Sequence, residues 1–191
     1  MFEAWTSKGN ALVASNKVEE AARCYRKALA LQPDYTAALN PLAGYYIDSD
    51  QVGRALPLLD RAISRGVADA NTYLLRGQIG LVQKKNDEAA KYFELATKMS
   101  PRPEKTLCDE ADIYMGYQQY DAGRRLYLEG IRRYPAYAAN YLAMGSYYLS
   151  IDKRPEKALP FLKKALECDL DPRTAAQVRE VVRRLDEARA P

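Results

Sequence analysis

The chain has 191 residues, of which 48% are hydrophobic and 28% are charged, and its formal net charge is +4. No run of apolar residues approaches the roughly 20 that a helix needs to span a bilayer, so the hydropathy pattern excludes a transmembrane helix. The sequence contains no histidine, which removes the usual general base near neutral pH and the commonest metal ligand.

Apolar spacing and turn residues predict five pairs of helices followed by one more helix. The predicted helices begin at residue 2 and include 18–31, 36–47, 52–65, a third pair within 71–101, and then 104–115, 121–133, 138–149 and 156–168. Asp69 or Asn71 is predicted to cap the third pair, because each side chain can accept a free amide proton. Asp171 followed by Pro172 predicts the start of the last helix.

Residues of the same kind recur at an interval of 34 along the chain. Three recurring positions carry small residues, which let neighbouring helices approach closely, and a fourth carries a large residue that fills the gap. A proline follows three of the second helices, since proline cannot continue a helix. The recurring residues are Gly9, Ala43, Gly77, Ala111 and Gly145; Ala21, Ala55, Ala89 and Gly123; Tyr25, Leu59, Phe93 and Tyr127; Ala28, Ala62, Ala96 and Gly130; and Pro33, Pro101 and Pro135. The fifth copy gains one residue near Lys153.

A unit with this period and these residues resembles the tetratricopeptide repeat. The resemblance implies an all-α fold class, a right-handed α-solenoid of five helix-turn-helix repeats plus a C-terminal capping helix. The repeats would cover 2–35, 36–69, 70–103, 104–137 and 138–171, and the capping helix 172–190, as a single continuous domain. Gly123 and Gly130 replace alanine, and each costs roughly 0.5–1 kcal/mol in a helix, so the fourth repeat is expected to be the least stable.

The sequence carries little that could act in catalysis. It has no glycine-rich phosphate loop, no nucleophile elbow and no zinc-protease motif. Its three cysteines, Cys24, Cys108 and Cys168, lie in different repeats and lack the spacing of a metal site. We therefore predict a protein that is not an enzyme and that uses no cofactor and no metal.

The resemblance also implies that the first helices of successive repeats line a concave groove. Positions that the repeat signature does not use form an apolar row, a row of polar or small residues (the polar row) and a mixed row, each running from repeat to repeat. In that order the rows are Val13, Ile47, Leu81, Met115 and Leu149; Asn10, Gly44, Gln78, Asp112 and Ser146; and Thr6, Asn40, Leu74, Cys108 and Leu142. The predicted peptide-binding residues are Asn10, Val13, Asn40, Ile47, Leu74, Gln78, Leu81, Cys108, Asp112, Met115, Leu142 and Ser146. An apolar row beside amides suits an extended peptide or an amphipathic helix. The apolar residues could equally belong to the core, whereas the polar residues favour a surface role, since buried amides need partners.

The expected function is to bind a peptide or helical segment of another protein, as a scaffold, adaptor or assembly factor, with no small-molecule substrate. The sharpest hypothesis is that Asn40, Leu74, Gln78 and Asp112 contact that ligand. One subclass of the family clamps the C-terminal carboxylate of chaperone tails with basic residues. Thr6 stands where that clamp needs its first lysine, which argues against such a ligand.

Two other interpretations stay open. The first repeat begins at Phe2, directly after Met1, which would suit a regulatory or docking domain of a larger enzyme or membrane protein. Self-association, with the tail or first helix of one copy in the groove of another, would make a homo-oligomer. Acidic residues interspersed among the basic ones disfavour nucleic acid as the partner. Cysteines without a disulfide pattern favour a cytoplasmic location, with a soluble domain of a membrane-associated protein as the alternative.

Overall fold

The computed structural model describes residues 1–188, and every regular element in that part of the chain is an α-helix. The helices are α1 (Phe2–Ala14), α2 (Val18–Leu31), α3 (Thr36–Asp48), α4 (Val52–Ser64), α5 (Ala70–Val82), α6 (Asn86–Met99), α7 (Pro103–Gly116), α8 (Tyr120–Arg133), α9 (Ala138–Ser150), α10 (Pro155–Ala165) and α11 (Pro172–Glu187). Each odd-numbered helix from α1 to α9 packs chiefly against the helix that follows it. The all-α class of helix-turn-helix repeats is therefore confirmed.

The turns inside the pairs share one backbone conformation, which repeats with the sequence. A residue with positive φ occupies each turn, at Asn16, Asp50, Lys84, Gln118 and Lys153, with φ between 56° and 60°. This left-handed conformation reverses the chain in a short turn, although none of the five residues is glycine. The last interval is one residue longer than the others, and this confirms the insertion that the sequence predicts near Lys153.

Two predicted helix caps are present in the structure. The Asp69 side chain accepts a hydrogen bond from the Thr72 backbone amide (2.8 Å), and the Asp69 amide donates to the Thr72 hydroxyl (3.2 Å), which makes a reciprocal capping box at the start of α5. Asn71, the alternative cap, lies inside the helix. Asp171 accepts from the backbone amides of Arg173 and Thr174 at the start of α11.

The helices form two compact units, Met1–Pro101 and a second that starts at Arg102. The first contains α1 to α6, with Leu39, Leu59 and Ile79 fully buried in its core. The second contains α7 to α11, with a core cluster around Met144. The predicted repeat boundaries inside these units, and the description of the chain as one domain, stay sequence-based predictions.

Helix α11 belongs to the second unit and packs against α10. Its valines Val178 and Val182 lie in one apolar cluster with Leu159 and Leu162 of α10. The valine face of this helix is therefore buried, while Arg183 and Arg184 are exposed and pair with Glu180. The predicted range of the capping helix extends to residue 190, and its last two positions lie outside the described residues.

Glycines at the recurring positions make room for specific neighbours. A Cβ built on Gly9 would lie 2.5 Å from the Tyr25 ring. In the fourth repeat, a Cβ on Gly130 would lie 2.5 Å from Nδ2 of Asn140, a side chain with no exposed surface. The missing side chain of Gly130 therefore makes room for Asn140. The lower stability expected for the fourth repeat stays a prediction.

Glu110 of α7 is expected to give the second unit a pH-dependent stability. Burial, followed by the nearby charge of Glu129, raises the pKa of Glu110 from 4.5 to about 7. A carboxyl whose pKa is higher in the folded chain than in the unfolded chain favours folding when it is protonated, and this contribution is lost as pH rises from about 4.5 to about 7. We expect the free energy of unfolding of this unit to fall by about 1–2 kcal/mol between pH values of about 5 and 8, allowing for partial solvation.

Urea unfolding followed by circular dichroism at a series of pH values checks this prediction, with hydrogen exchange to assign the change to α7 and α8. Glu110→Gln should remove most of the pH dependence and should be more stable than wild type at the alkaline end. Glu156→Gln, a change of the same type at an exposed position in the same unit, should leave the dependence in place. An unchanged pH profile in Glu110→Gln would contradict the assignment.

Candidate binding surface

A cleft of about 690 Å³ lies in the first unit, where α1, α2 and α3 meet. Two residues of the predicted groove, Asn10 and Val13, line it, together with Gly44 from the polar row. The full lining consists of Asn10, Val13, Val18, Tyr25, Pro41, Gly44, Tyr45, Asp48 and Ser49. The four α3 residues at positions 41, 44, 45 and 48 lie on one face of that helix, as their spacing requires. A volume of this size falls in the range of ligand clefts.

The polar wall of the cleft contains a hydrogen bond within the first helical pair, between the large residue of the repeat signature and a residue of the polar row. The Tyr25 hydroxyl of α2 donates to Oδ1 of Asn10 in α1 over 2.8 Å. The same bond recurs in the second unit, where the Tyr127 hydroxyl of α8 donates to Oδ1 of Asp112 in α7 with the same separation of 15 residues. The large residue of the signature therefore orients the side chain of the polar row wherever it is tyrosine.

Burial and hydrogen bonding act in opposite directions on Asp112. Burial raises the pKa of this carboxyl, and the Tyr127 hydrogen bond offsets part of that increase. The pKa of Tyr127 is raised as well, first by burial and then by its bond to Asp112. The carboxylate is thus already engaged by its own repeat, and a ligand would meet it as a hydrogen-bond acceptor of fixed orientation.

The apolar wall of the cleft exposes side chains that solvent would normally disfavour. Val13 is 47% exposed at the end of α1, and Val18 is 49% exposed at the start of α2. Pro41 and Tyr45 of α3 face the same space and are half-buried. Asp48 supplies the one charged group of this lining. The arrangement can therefore take up an apolar side chain beside an amide and a carboxylate.

Asn40 does not have the surface position that the sequence analysis favoured. Its side chain is only 4% exposed, and its Nδ2 donates to both carboxylate oxygens of Asp69, over 2.9 and 3.1 Å. The Thr72 hydroxyl donates to Asn40 Oδ1 over 2.9 Å. The surface prediction for Asn40 is wrong, because the capping box at the start of α5 provides the partners that a buried amide needs.

Four apolar residues of the predicted groove are also buried. They are Ile47, Leu74, Leu81 and Cys108, each 5–6% exposed. Burial also raises the pKa of the Cys108 thiol to about 12, so it is no nucleophile at neutral pH. Their burial agrees with the core alternative that the sequence analysis left open.

The remaining predicted residues are more accessible. Gln78 of α5 is half-buried, as are Met115 of α7 and Leu142 of α9. Ser146 is exposed, and so is much of Asp112, although the carboxyl group of Asp112 is partly desolvated beside Tyr127. Of the whole predicted set, the cleft in the first unit therefore brings together Asn10 and Val13, and the other accessible residues lie outside it.

The predicted groove does not include Val18, Tyr45 and Asp48, because it draws only on first helices and, within them, only on the three rows of equivalent positions. Val18 opens a second helix, and Tyr45 and Asp48 stand beside the rows rather than on them. The sequence feature that could have indicated the cleft is the pair Val13 and Val18, two valines on either side of a short polar turn.

Within residues 1–188, no group of three or more cysteine, aspartate or glutamate side chains is placed to hold a metal ion. None of the described helices combines the length and the apolar character that crossing a membrane requires.

Solved structures with the same fold are numerous and distant in sequence. A tetratricopeptide repeat protein from Parabacteroides merdae has a TM-score of 0.68 at 16% identity, over 95% of this chain and 71% of that one. PilF of Pseudomonas aeruginosa has a TM-score of 0.62 at 14% identity, over 96% and 88%. YrrB, described as a tetratricopeptide repeat protein with an unusual peptide-binding site, has a TM-score of 0.50 at 19% identity, over 92% and 90%. A comparison with curated protein sequences finds no significant match.

Family models match most of the chain. One tetratricopeptide repeat model matches residues 2–35, and a second matches residues 40–102 and 108–173. Proteins with these repeats are in general non-catalytic scaffolds that bind other proteins or peptides. This protein therefore belongs to the tetratricopeptide repeat family.

Proposed function

We propose that the cleft formed by α1, α2 and α3 binds an extended peptide segment of a partner protein. The observation that carries this proposal is the pairing of an oriented amide, Asn10, with two valines that are each nearly half exposed. Exposed apolar side chains in a concave site favour a ligand that removes them from water. The role of the whole chain would then be that of a scaffold, adaptor or assembly factor.

The chemistry of the cleft favours a peptide with one apolar anchor. Val13, Val18 and Tyr45 would surround that side chain. Since Asn10 uses its Oδ1 to accept from Tyr25, its Nδ2 would donate to a backbone carbonyl of the peptide, as main-chain recognition requires. Asp48 would accept from a peptide amide or pair with a basic side chain. The description of YrrB as having a peptide-binding site supports peptides as the ligand class.

The other accessible residues of the predicted groove stay proposals for further contacts. Gln78 would extend recognition within the first unit, and Asp112 and Ser146 would make contacts that belong to the second unit alone. Occupation of the cleft by a second copy of this chain is the alternative, and it would make the protein a self-associating scaffold. A docking role inside a larger protein is compatible with either ligand.

The test is selection of a display library of short random peptides on the purified chain, followed by affinity measurement with the selected peptides. Val13→Glu should weaken binding by at least about tenfold, because a carboxylate would be buried against an apolar side chain. Val67→Glu is the matched control, since Val67 is 40% exposed in the same unit and outside the cleft. Asn10→Asp keeps the acceptor for Tyr25 and removes the amide donor, so it should also weaken binding.

All three variants should retain a Tm close to that of wild type, because the altered side chains are exposed. Peptides that bind Val13→Glu and Val67→Glu equally well would place recognition outside the cleft. Selection of no consistent sequence, together with concentration-dependent dimer formation that Val13→Glu abolishes, would favour the self-associating scaffold.

A further inference from the structure

A second cleft in the first unit, of about 320 Å³, lies between α2, α3 and α4, and we call it the arginine cleft. Arg26 of α2 and Arg54 and Arg61 of α4 stand on its lining, which holds no acidic residue among those described. Its floor is apolar and includes Leu29, Leu42 and Tyr46, which are 8%, 2% and 4% exposed. The cleft formed by α1, α2 and α3, which we call the peptide cleft, has a different chemistry from this apolar floor with its cationic lining.

The two clefts use different faces of the same helices. On α3, Leu42 and Tyr46 belong to the arginine cleft, whereas Pro41 and Tyr45 belong to the peptide cleft. Neighbouring residues of a helix point about 100° apart, so a ligand in one cleft does not occupy the other. The arginine cleft is therefore a separate surface, and an inference about it does not rest on the proposed function.

Two of the arginines are available to a ligand. The guanidinium carbon of Arg54 lies 4.3 Å from the Tyr46 ring centre, and its Nη1 donates to Gln51 over 2.7 Å. Stacking on a ring orients a guanidinium while leaving most of its N–H groups at the edge for an anion. Arg26 is exposed and makes no ion pair within residues 1–188.

The third arginine is partly neutralised. Arg61 Nε lies 3.6 Å from Oδ1 of Asp34, and the same carboxylate lies 3.4 Å from Nη1 of Arg65. One aspartate thus balances two arginines beside the cleft, while Arg26 and Arg54 have no acidic partner there. The local charge is positive, and it surrounds an apolar floor.

We propose that the arginine cleft docks an acidic peptide segment of a protein partner, with an apolar side chain on the floor and carboxylates on either side. Arg26 and Arg54 stand on opposite helices, so carboxylates before and after the apolar residue can each meet a guanidinium. Bidentate pairing of arginine with carboxylate gives such contacts geometric specificity. A nucleic acid or a lipid headgroup would use the charges but leave the apolar floor unfilled.

The probe is a fluorescein-labelled peptide in which a leucine is flanked on each side by glutamates, titrated with the full chain and followed by anisotropy. We expect binding that weakens with added salt, and that is reduced by at least about tenfold in Arg26→Glu/Arg54→Glu. Arg125→Glu/Arg132→Glu makes the same change in net charge at exposed positions of the second unit, and it should bind like wild type. Arg26→Glu alone, at an exposed residue without an ion pair, repeats the test with the Arg54–Tyr46 stack left intact.

Two altered probes test the chemistry of the ligand. Glutamine in place of glutamate should abolish binding, and glycine in place of leucine should weaken it. Equal loss of binding in both double variants would overturn the proposal, because the attraction would then follow net charge alone. Tighter binding of a single-stranded oligonucleotide or of anionic lipid vesicles than of the peptide, lost in Arg26→Glu/Arg54→Glu, would also overturn it. The proposal for the arginine cleft is independent of the proposed function. If Val13→Glu and Asn10→Asp did not weaken peptide binding in the peptide cleft, the outcomes expected for the arginine cleft would stay the same.

Discussion

Replacing Arg76 with alanine is expected to destabilise the first unit by about 2–3 kcal/mol. This is less than the roughly 3–5 kcal/mol found when one partner of a fully buried charge pair is removed, because the carboxylates of Asp60 and Glu88 stay partly solvated. Arg76 is 8% exposed in α5. Its Nε lies 2.8 Å from Oδ1 of Asp60 in α4, and its Nη2 lies 2.8 Å from Oε1 of Glu88 in α6. Its guanidinium carbon also lies 4.7 Å from the centre of the Tyr92 ring. One side chain therefore joins three consecutive helices.

The charges explain why this arginine tolerates burial. Burial disfavours the charged guanidinium, but the hydrogen bond and charge of Asp60 together with the charges of Tyr92 and Glu88 offset it, so the pKa of Arg76 lies above its ordinary value. Alanine would remove both ion pairs, leave two carboxylates without their guanidinium partner, and vacate the space of a long side chain. The loss should therefore combine an electrostatic part with a packing part.

Urea unfolding followed by Trp5 fluorescence and circular dichroism measures the effect. Arg76→Met restores most of the side-chain volume without the charge, so it should recover the packing part alone. The matched control is Arg23→Ala, because Arg23 forms one ion pair with Glu19 at an exposed site of the same unit. Exposed pairs contribute about 0–1 kcal/mol. Equal effects of the Arg76 and Arg23 substitutions would show that the buried network contributes nothing of its own.

The contact between Gly77 and Phe93 is expected to show the second large effect. Phe93 has no exposed surface, and Phe93→Ala should cost about 3–5 kcal/mol, as is usual for a fully buried ring. A Cβ on Gly77 would lie 2.5 Å from Cε1 and 2.6 Å from Cδ1 of that ring. Gly77→Ala should therefore destabilise the unit by about 1–3 kcal/mol through overpacking, although alanine has the higher helix propensity.

The two substitutions should not add. In Gly77→Ala/Phe93→Ala the new methyl group enters space that the ring has left, so the double variant should be more stable than the sum of the single losses indicates. Gly53→Ala is the matched control, because a Cβ there meets nothing within 4 Å. Gly53→Ala should stabilise the first unit by about 0.5–1 kcal/mol, because alanine loses less backbone freedom than glycine when the helix forms. Strict additivity, or a stabilising Gly77→Ala, would contradict the close approach of α5 and α6.

Much of the local structure follows from neighbouring residues, and it is predictable for that reason. Asp171 before Pro172 marks the start of α11, since the bonds that cap the helix reach only two and three residues along the chain. The inserted residue near Lys153 is visible because it breaks a fixed interval.

The errors come from contacts between residues that are distant in sequence. The surface prediction for Asn40 rests on the rule that a buried amide needs partners, and the partner that satisfies it, Asp69, is 29 residues away in the chain. The network of Arg76 is not predictable because the equivalent positions, Lys8, Leu42, Glu110 and Met144, share no residue type. Its partners Asp60 and Glu88 also lie on other helices. Both cases need the relative placement of two helices before the environment of the side chain is known.

The sequence by itself determined that this protein is a chain of tetratricopeptide repeats, because the 34-residue period, the small residues and the turns are encoded within each helical pair. Only the tertiary structure decided which members of each row remain accessible. Val13 and Ile47 occupy the same place in successive repeats, but Val13 is 47% exposed and Ile47 is 6% exposed. The reason is physical: a side chain in a repeat array is buried by the particular residues of the neighbouring pair, and those differ from copy to copy.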